Sequence, residues 1–403
     1  MTECTNLGSF DSPFFIPTDP VTQQIVFGAG VSGRVGKFAQ SLGSHALVVT
    51  DAGVLSAGHP QKIVSSLQGA GLKTFLFDGA VENPTDASVR ACAQKIKELG
   101  IDLIVGVGGG SSLDTAKGTN FILTNGGSMR DYWGVNKAKN PLLPMIAIPT
   151  TAGTGSECQS YALISDDQTH RKMACGDSTA LPKVTLLDPE LTLSQPVSVS
   201  AATGMDALAH TLESAVCTKR NQFSDRHARK GFSLLIQNLE TVHHQPDNLD
   251  ARGGVLLGAA HAGAAIERSM LGAAHALANP LTAQKGVIHG QAVGLTLPAV
   301  LSYNQADLNV GKIYGEMSRA CGIADAGDSD SYAFDLLMEK VLYLRKIFRL
   351  PTSLSAVGCE PNELTKLAND AADQWTASFN PRIVKQPELL AIYQSIDSYA
   401  NKS

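Results

Sequence analysis

A chain of 403 residues with 43% hydrophobic content can bury a large core and divide into two or three domains. Its formal charge of −5, its pI near 6.1 and an aromatic content of 6% provide neither a basic field nor stacking platforms. Nucleic acid is therefore excluded as a partner, and any phosphate has to be held by local backbone geometry.

At the start of the chain, MTECTNLGSFDSPFFIP lacks the basic head and apolar core of a signal peptide, and no later run approaches the ~18 apolar residues of a membrane span. The seven cysteines are scattered, odd in number and without a C-x-x-C pair, which speaks against a disulfide framework or a thiolate zinc site. Both observations predict a cytoplasmic, soluble protein.

From there the first half alternates β-rich apolar runs with stretches of helical length. QQIVFGAG is followed by a helix bearing Val35, Phe38, Ala39 and Leu42, and HALVVTD ends on Asp51. LKTFLFDG precedes the Asn83-Pro84 turn and a helix over about 85–99. DLIVGVGGG and LPMIAIPTT follow, then a hairpin in YALISDDQTHRKMAC and a last strand in KVTLLDPE. A βαβ rhythm of this kind predicts a parallel sheet. From about residue 198 the chain is Ala- and Leu-rich at helical spacing, so an α/β domain over 1–192 and an all-helical domain over 193–403 are expected, with HHQPDNLDARGG at 243–254 as a loop.

Three features of the first half point to a dinucleotide. In LIVGVGGGSSLDTAKG a buried strand runs through Gly108, Gly109 and Gly110 into a helix begun by Ser111 or Ser112 and carrying Asp114 and Lys117. Backbone N–H groups at such a helix start can hold a diphosphate; the same sequence also fits a tight turn with no ligand. IPTTAGTGSE places Thr150, Thr151, Thr154 and Ser156 after a second strand, offering hydroxyls to phosphate or ribose. Asp51 either accepts bonds from an adenosine ribose, favouring NAD over NADP, or caps the next helix.

The second half carries a metal-like constellation. ATGMDALAHTLESAV puts Asp206 and His210 at i, i+4 beside an apolar face of Ala201, Met205, Leu208, Leu212 and Ala215. Such a pair chelates an ion or lies solvated and mutually hydrogen-bonded. His275 and His289 in HALANPLTAQKGVIHG would complete a set of three nitrogens and one carboxylate, which suits a divalent transition ion and not magnesium or calcium. His45, His170, His227, His243, His244 and His261 read as structural or surface residues.

Taken in order, GGGSSLDTAKG, IPTTAGTGSE, DPELT, TGMDALAHTLE, the segment from His275 to His289 and NPR at 380–382 resemble the iron-dependent, group III alcohol dehydrogenases over nearly the whole chain. The resemblance implies an N-terminal dinucleotide-binding α/β domain with a parallel sheet and an all-α C-terminal metal-binding domain, the dehydroquinate synthase-like fold. It implies metal ligands at Asp206, His210, His275 and His289, with iron(II) ahead of zinc. It implies NAD contacts at Asp51, Gly109, Gly110, Ser111, Asp114, Thr150, Thr151 and Thr154, and adds Lys172 and Leu191. The implied activity interconverts a short-chain primary alcohol or diol and its aldehyde, of the lactaldehyde/1,2-propanediol type, in a homo-oligomer of two or more copies.

One position departs from the family. Where relatives carry a second histidine four residues after the first, often assigned to proton transfer, this chain has Asn279. An amide donates and accepts hydrogen bonds but does not titrate near neutral pH, so Asn279 can orient a substrate and cannot relay its proton. Two alternatives belong with this reading. One is a hydroxyacid–oxoacid transhydrogenase with tightly held cofactor; the other is a catalytically impaired member with a structural role.

Overall fold

The computed structural model describes residues 23–169 and 171–400, together with the backbone of 14–16; His170 lies outside the described residues. The chain divides into two compact units, Met1–Gln195 and Pro196–Ser403. Among the described residues, no helix is long and apolar enough to cross a membrane.

Among the described residues the first unit holds ten strands: β1 (Phe14–Ile16), β2 (Gln24–Phe27), β3 (His45–Asp51), β4 (Lys73–Ala80), β5 (Leu103–Gly108), β6 (Gly134–Val135), β7 (Met145–Pro149), β8 (Tyr161–Ser165), β9 (Lys172–Gly176) and β10 (Val184–Leu187). Its helices are α1 (Val35–Ala39), α2 (Ala52–Ser56), α3 (His59–Gly69), α4 (Asp86–Ile96) and α5 (Gly110–Asn125). Seven strands form one sheet in the order β1-β2-β10-β7-β5-β3-β4, with β1 antiparallel to β2 and the other six parallel.

Alternation along the strands feeds two cores. Val48, Val105, Ile146 and Ile148 pack with Val35, Ile63 and Leu67 on one face. Leu47, Val49, Ile104 and Ala147 pack with Cys92, Ile96, Leu113 and Ala116 on the other. Because both faces are covered, the strands read as continuous apolar runs. The helix expected over 85–99 begins at Asp86, where Thr85 and Ser88 cap it reciprocally. A second sheet, β6-β9-β8, contains the expected hairpin as the antiparallel pair β8–β9. Neither β1 nor the two-residue β6 carries a period long enough to be read in advance.

The second unit is helical: α6 (Val197–Ser214), α7 (Gln222–His244), α8 (Leu249–Arg268), α9 (Ala273–Lys285), α10 (His289–Asn304), α11 (Leu308–Ala320), α12 (Asp330–Ile347), α13 (Leu364–Ala372) and α14 (Gln386–Ser395). The sequence overestimates the loop at 243–254. The break is confined to 245–248, where Asn248 caps α8 by accepting from the Ala251 amide at 3.0 Å. Gly254, at the end of that segment, serves helix packing: a Cβ there would lie 2.5 Å from the Asn238 side chain, just as one on Gly231 of α7 would lie 2.9 Å from the Gly258 carbonyl. Glycine there lets α7 and α8 approach closely. α6 also departs from a one-sided amphipathic helix, since all of 204–214 is buried, the polar residues included.

Candidate functional site

Each unit holds one cluster of the expected residues. In the first, the glycine loop lies at the C-terminal ends of β5 and β7, where parallel sheets present ligand crevices. Gly108 adopts φ 148°, which side chains rarely tolerate, and Gly109 is the N-cap of α5. Asp51 enters from the adjacent β3.

The glycines mark close approaches. A Cβ on Gly110 would lie 2.7 Å from the Thr154 side chain, one on Gly109 would lie 3.3 Å from Thr151, and one on Gly108 would lie 3.2 Å from an Asp51 oxygen. Asp51, Gly109, Gly110, Thr151 and Thr154 are thereby brought together; Ser111 lies in the first turn of α5, and Thr150 donates its amide to the Gly108 carbonyl at 3.0 Å. Both readings of Asp51 have structural content. One oxygen accepts from the Val54 amide at 3.0 Å as the α2 cap, and the other accepts from the Ser112 hydroxyl at 2.7 Å. A carboxylate has further lone pairs for a ligand hydroxyl.

Behind this loop a buried polar layer fixes the second one. The Lys117 ammonium donates to the carbonyls of Ser156, Gln159 and Tyr161 and to the Ser156 hydroxyl, at 2.6–3.0 Å. The Ser156 hydroxyl in turn donates to Asp114 at 2.7 Å. Burial pushes the Asp114 carboxyl up, while Lys117 and Lys172 act to lower it, which places Lys172 in the same electrostatic neighbourhood. Leu191 is buried in the apolar cluster that also holds Val26, Leu186 and, from the strand leading into the glycine loop, Val107. Burial lifts the neighbouring Glu157 to about 7.

The sequence reading assigned nothing to Asp188 of DPELT. It accepts from the amides of Gly30 and Ser32 at 3.1 Å and from the Ser32 hydroxyl, and so pins the turn after β2.

In the second unit one oxygen gathers three imidazoles. Asp206 Oδ1 lies 3.5 Å from His210 Nε2, 3.2 Å from His275 Nε2 and 3.8 Å from His289 Nε2. α6 supplies Asp206 and His210 one turn apart, α9 supplies His275, and α10 begins on His289. The His210 and His275 rings stack at 4.8 Å. Among the described residues, Asp206, His210 and His275 are the one cluster of potential metal-ligating side chains, with donor atoms all within 4.8 Å of one another. Both members of the Asp206–His210 pair are buried, which removes the solvated alternative for them.

Burial alone would raise the Asp206 carboxyl, yet His210, His275 and His289 hold it well below the usual carboxylate range. Burial would likewise lower His275, but the carboxylates of Glu213 and Asp206 lift it to about 9. The donor set fits a transition ion: three imidazole nitrogens and one carboxylate oxygen converge, and no lysine or arginine pairs with Asp206 among the described residues.

Asn279 stands one turn beyond His275 on the same face of α9, half-buried, and donates its side-chain amide to Gln374 Oε1 at 3.0 Å. Gln374 donates onward to the Asp370 carbonyl at 3.2 Å. Pro280 follows and removes one helix hydrogen bond.

Comparisons with known proteins cover most of the chain, in both units. Residues 22–189 match the family model described as "Iron-containing alcohol dehydrogenase", and residues 200–396 match "Fe-containing alcohol dehydrogenase family, C-terminal". The NAD-dependent methanol dehydrogenase of Bacillus methanolicus is 30% identical over 383 residues, which is 95% of this chain and 99% of that one. The lactaldehyde reductase of Escherichia coli strain K12 is 30% identical over 372 residues, 92% of this chain and 96% of that one. Among solved structures, an alcohol dehydrogenase from Oenococcus oeni superimposes with a TM-score of 0.88 at 31% identity, over 92% of this chain and 97% of that one.

Proposed function

The chain belongs to the iron-containing alcohol dehydrogenase family, and from that premise we propose that it interconverts a short-chain primary alcohol or diol and its aldehyde, using NAD(H) and a divalent metal ion. The observation that carries this reading is the single buried Asp206 oxygen collecting the Nε2 atoms of three histidines.

Asp206, His210, His275 and His289 would hold the ion, iron(II) by family and zinc by the same donor chemistry. Gly109, Gly110, Ser111, Thr150, Thr151 and Thr154 would cradle NAD, with Asp51 toward the adenosine ribose and Asp114, Lys172 and Leu191 around it. When bound, the ion supplies Lewis acidity to a hydroxyl or carbonyl oxygen and NAD supplies a two-electron hydride carrier.

The protein's own residues supply placement. Amides at the start of α5 and the hydroxyls of Thr151 and Thr154 meet negative oxygens, which the helix N-terminus favours. The Asn279 side-chain nitrogen donates to Gln374 Oε1, so its Oδ1 would be the atom that accepts from a substrate hydroxyl. Asn279 would bind and orient a substrate hydroxyl and, as an amide that does not titrate near neutral pH, would not carry its proton. The reading carries with it a cytoplasmic homo-oligomer acting on small molecules, with its oligomeric state to be read by sedimentation.

The test is metal analysis of the purified protein combined with NADH oxidation over propionaldehyde, lactaldehyde and 3-hydroxypropionaldehyde, before and after chelation. Turnover that falls on chelation and returns with iron(II) or zinc supports the reading. Tight binding of NADH and metal with no turnover of any aldehyde or alcohol overturns it. Turnover between an alcohol and an aldehyde without added cofactor would identify a transhydrogenase instead.

A further inference from the structure

Glu213 closes TGMDALAHTLE, and Asn380 opens the late NPR sequence. Both converge on the start of α9.

α9 begins at a glycine N-cap that has no side chain to satisfy the first-turn amides. Distant residues do so instead. Glu213 Oε1 accepts from the Ala274 amide at 2.7 Å, and Asn380 Oδ1 accepts from the Ala273 amide at 3.2 Å. A Cβ on Gly272 would sit 3.0 Å from each of these oxygens, so the cap is bare because its satisfying groups arrive from outside. Asn380 is itself locked by a reciprocal amide pair with Asn304, at 2.8 and 3.0 Å.

The second oxygen of Glu213 binds the Nδ1 of His275. One carboxylate thus grips the backbone of residue 274 and the ring of residue 275 together. Glu213 is 3% exposed, and its ion-pair partner among the described residues is His275. Asp206, His210 and Glu213 follow at i, i+4 and i+7, on one stripe of α6.

We propose that Glu213 is the positioning residue of the metal centre, with Asn380 as its auxiliary: Glu213 keeps the His275 proton on Nδ1 and aims Nε2 at the point where Asp206, His210 and His289 converge. This rests on the metal-site reading above. A carboxylate behind a ligating imidazole fixes tautomer and ring orientation, and losing such a partner typically costs about 10–100-fold in metal affinity.

The experiment measures cobalt(II) affinity of metal-free protein by chelator competition, together with the visible cobalt spectrum. Glu213→Gln keeps an oxygen for the Ala274 amide but sets an N–H2 donor against the His275 Nδ1–H. The expected result is a loss of about 10–100-fold in affinity with an altered spectrum. Asn380→Ala is expected to weaken binding less than about tenfold with the spectrum unchanged, because it removes a cap and not a ring partner. Wild-type affinity and spectrum in Glu213→Gln would overturn the proposal, provided Asp206→Ala abolishes binding. Unchanged binding in Asp206→Ala would overturn the metal site and the proposal together. Should Glu213→Gln not fold, selective 15N-histidine labelling of the zinc-loaded wild type decides: a His275 Nδ1 proton protected from solvent exchange supports the role, and an Nδ1 that lacks a proton or exchanges freely refutes it.

Discussion

The two candidate sites are built in opposite ways. The one in the α/β unit is defined by missing atoms: Gly108, Gly109 and Gly110 leave room for Asp51, Thr151 and Thr154 to close in. The one in the helical unit is defined by atoms crowded into a buried space, where one carboxylate oxygen meets three imidazoles and a second carboxylate grips one of them from behind. A backbone-built site fails when atoms are added to it, and a side-chain-built site fails when atoms are removed.

The largest effect expected from this contrast is on the crowded side. His210→Ala should lower metal affinity by roughly a hundredfold or more, since each ligand carries a large share of the total binding free energy. Metal analysis after dialysis against a chelator checks it, and NADH binding should be unchanged.

The counterpart in the first unit is Gly110→Ala. Its Cβ would arrive 2.7 Å from Thr154, and overpacking of this kind costs about 1–3 kcal/mol. NADH fluorescence titration should show the dissociation constant raised about tenfold or more, while metal content should stay at the wild-type level.

The units should also differ in the sign of their pH sensitivity. Burial raises Glu157 to about 7, so the folded α/β unit holds a proton that the unfolded chain releases above about 4.5. The stability this contributes is complete below 4.5 and is lost as pH rises through about 7, and Glu157→Gln should gain on the order of 2–3 kcal/mol at pH 8.5. In the helical unit His227 and His261 pair through their Nδ1 atoms at 2.8 Å, and burial lowers them to about 4 and about 3. Their contribution is present above 6.5 and is lost as pH falls through those values, so His261→Gln should flatten the acid limb of a plot of melting temperature against pH.

The smallest change, confined to catalysis, is expected from Asn279→His. A titrating ring one turn after His275 should leave metal content unchanged and alter the pH dependence of aldehyde reduction, with a rate change of severalfold at its optimum. Superimposable pH profiles for the two proteins would remove the role assigned to Asn279.

Local signals were read well where the relevant force is local. The apolar runs of β3, β5 and β7 are strands because helices cover both their faces. The helix expected after the Asn83-Pro84 turn forms over Asp86–Ile96, started by the Thr85 hydroxyl, which accepts from an amide three residues on. The same reasoning misjudges 249–254, where Gly254 resembles a loop residue until the Asn238 side chain of α7 is known to lie against it. Glu213, Asp188 and Asn380 lie inside the sequence motifs yet their tasks are not legible there, because their partners are 61, 158 and 107 residues away.

The sequence alone determined which side chains can take part: the i, i+4 spacing of Asp206 and His210 follows from the 3.6-residue turn, and the glycine triplet follows from what a bare backbone permits. Tertiary structure alone decided that His275 and His289, from two other helices, meet that pair, and that Glu213 reaches behind to hold one of them. Helix periodicity is a property of neighbouring residues, whereas convergence depends on how buried helices pack, and packing is settled by the whole core at once.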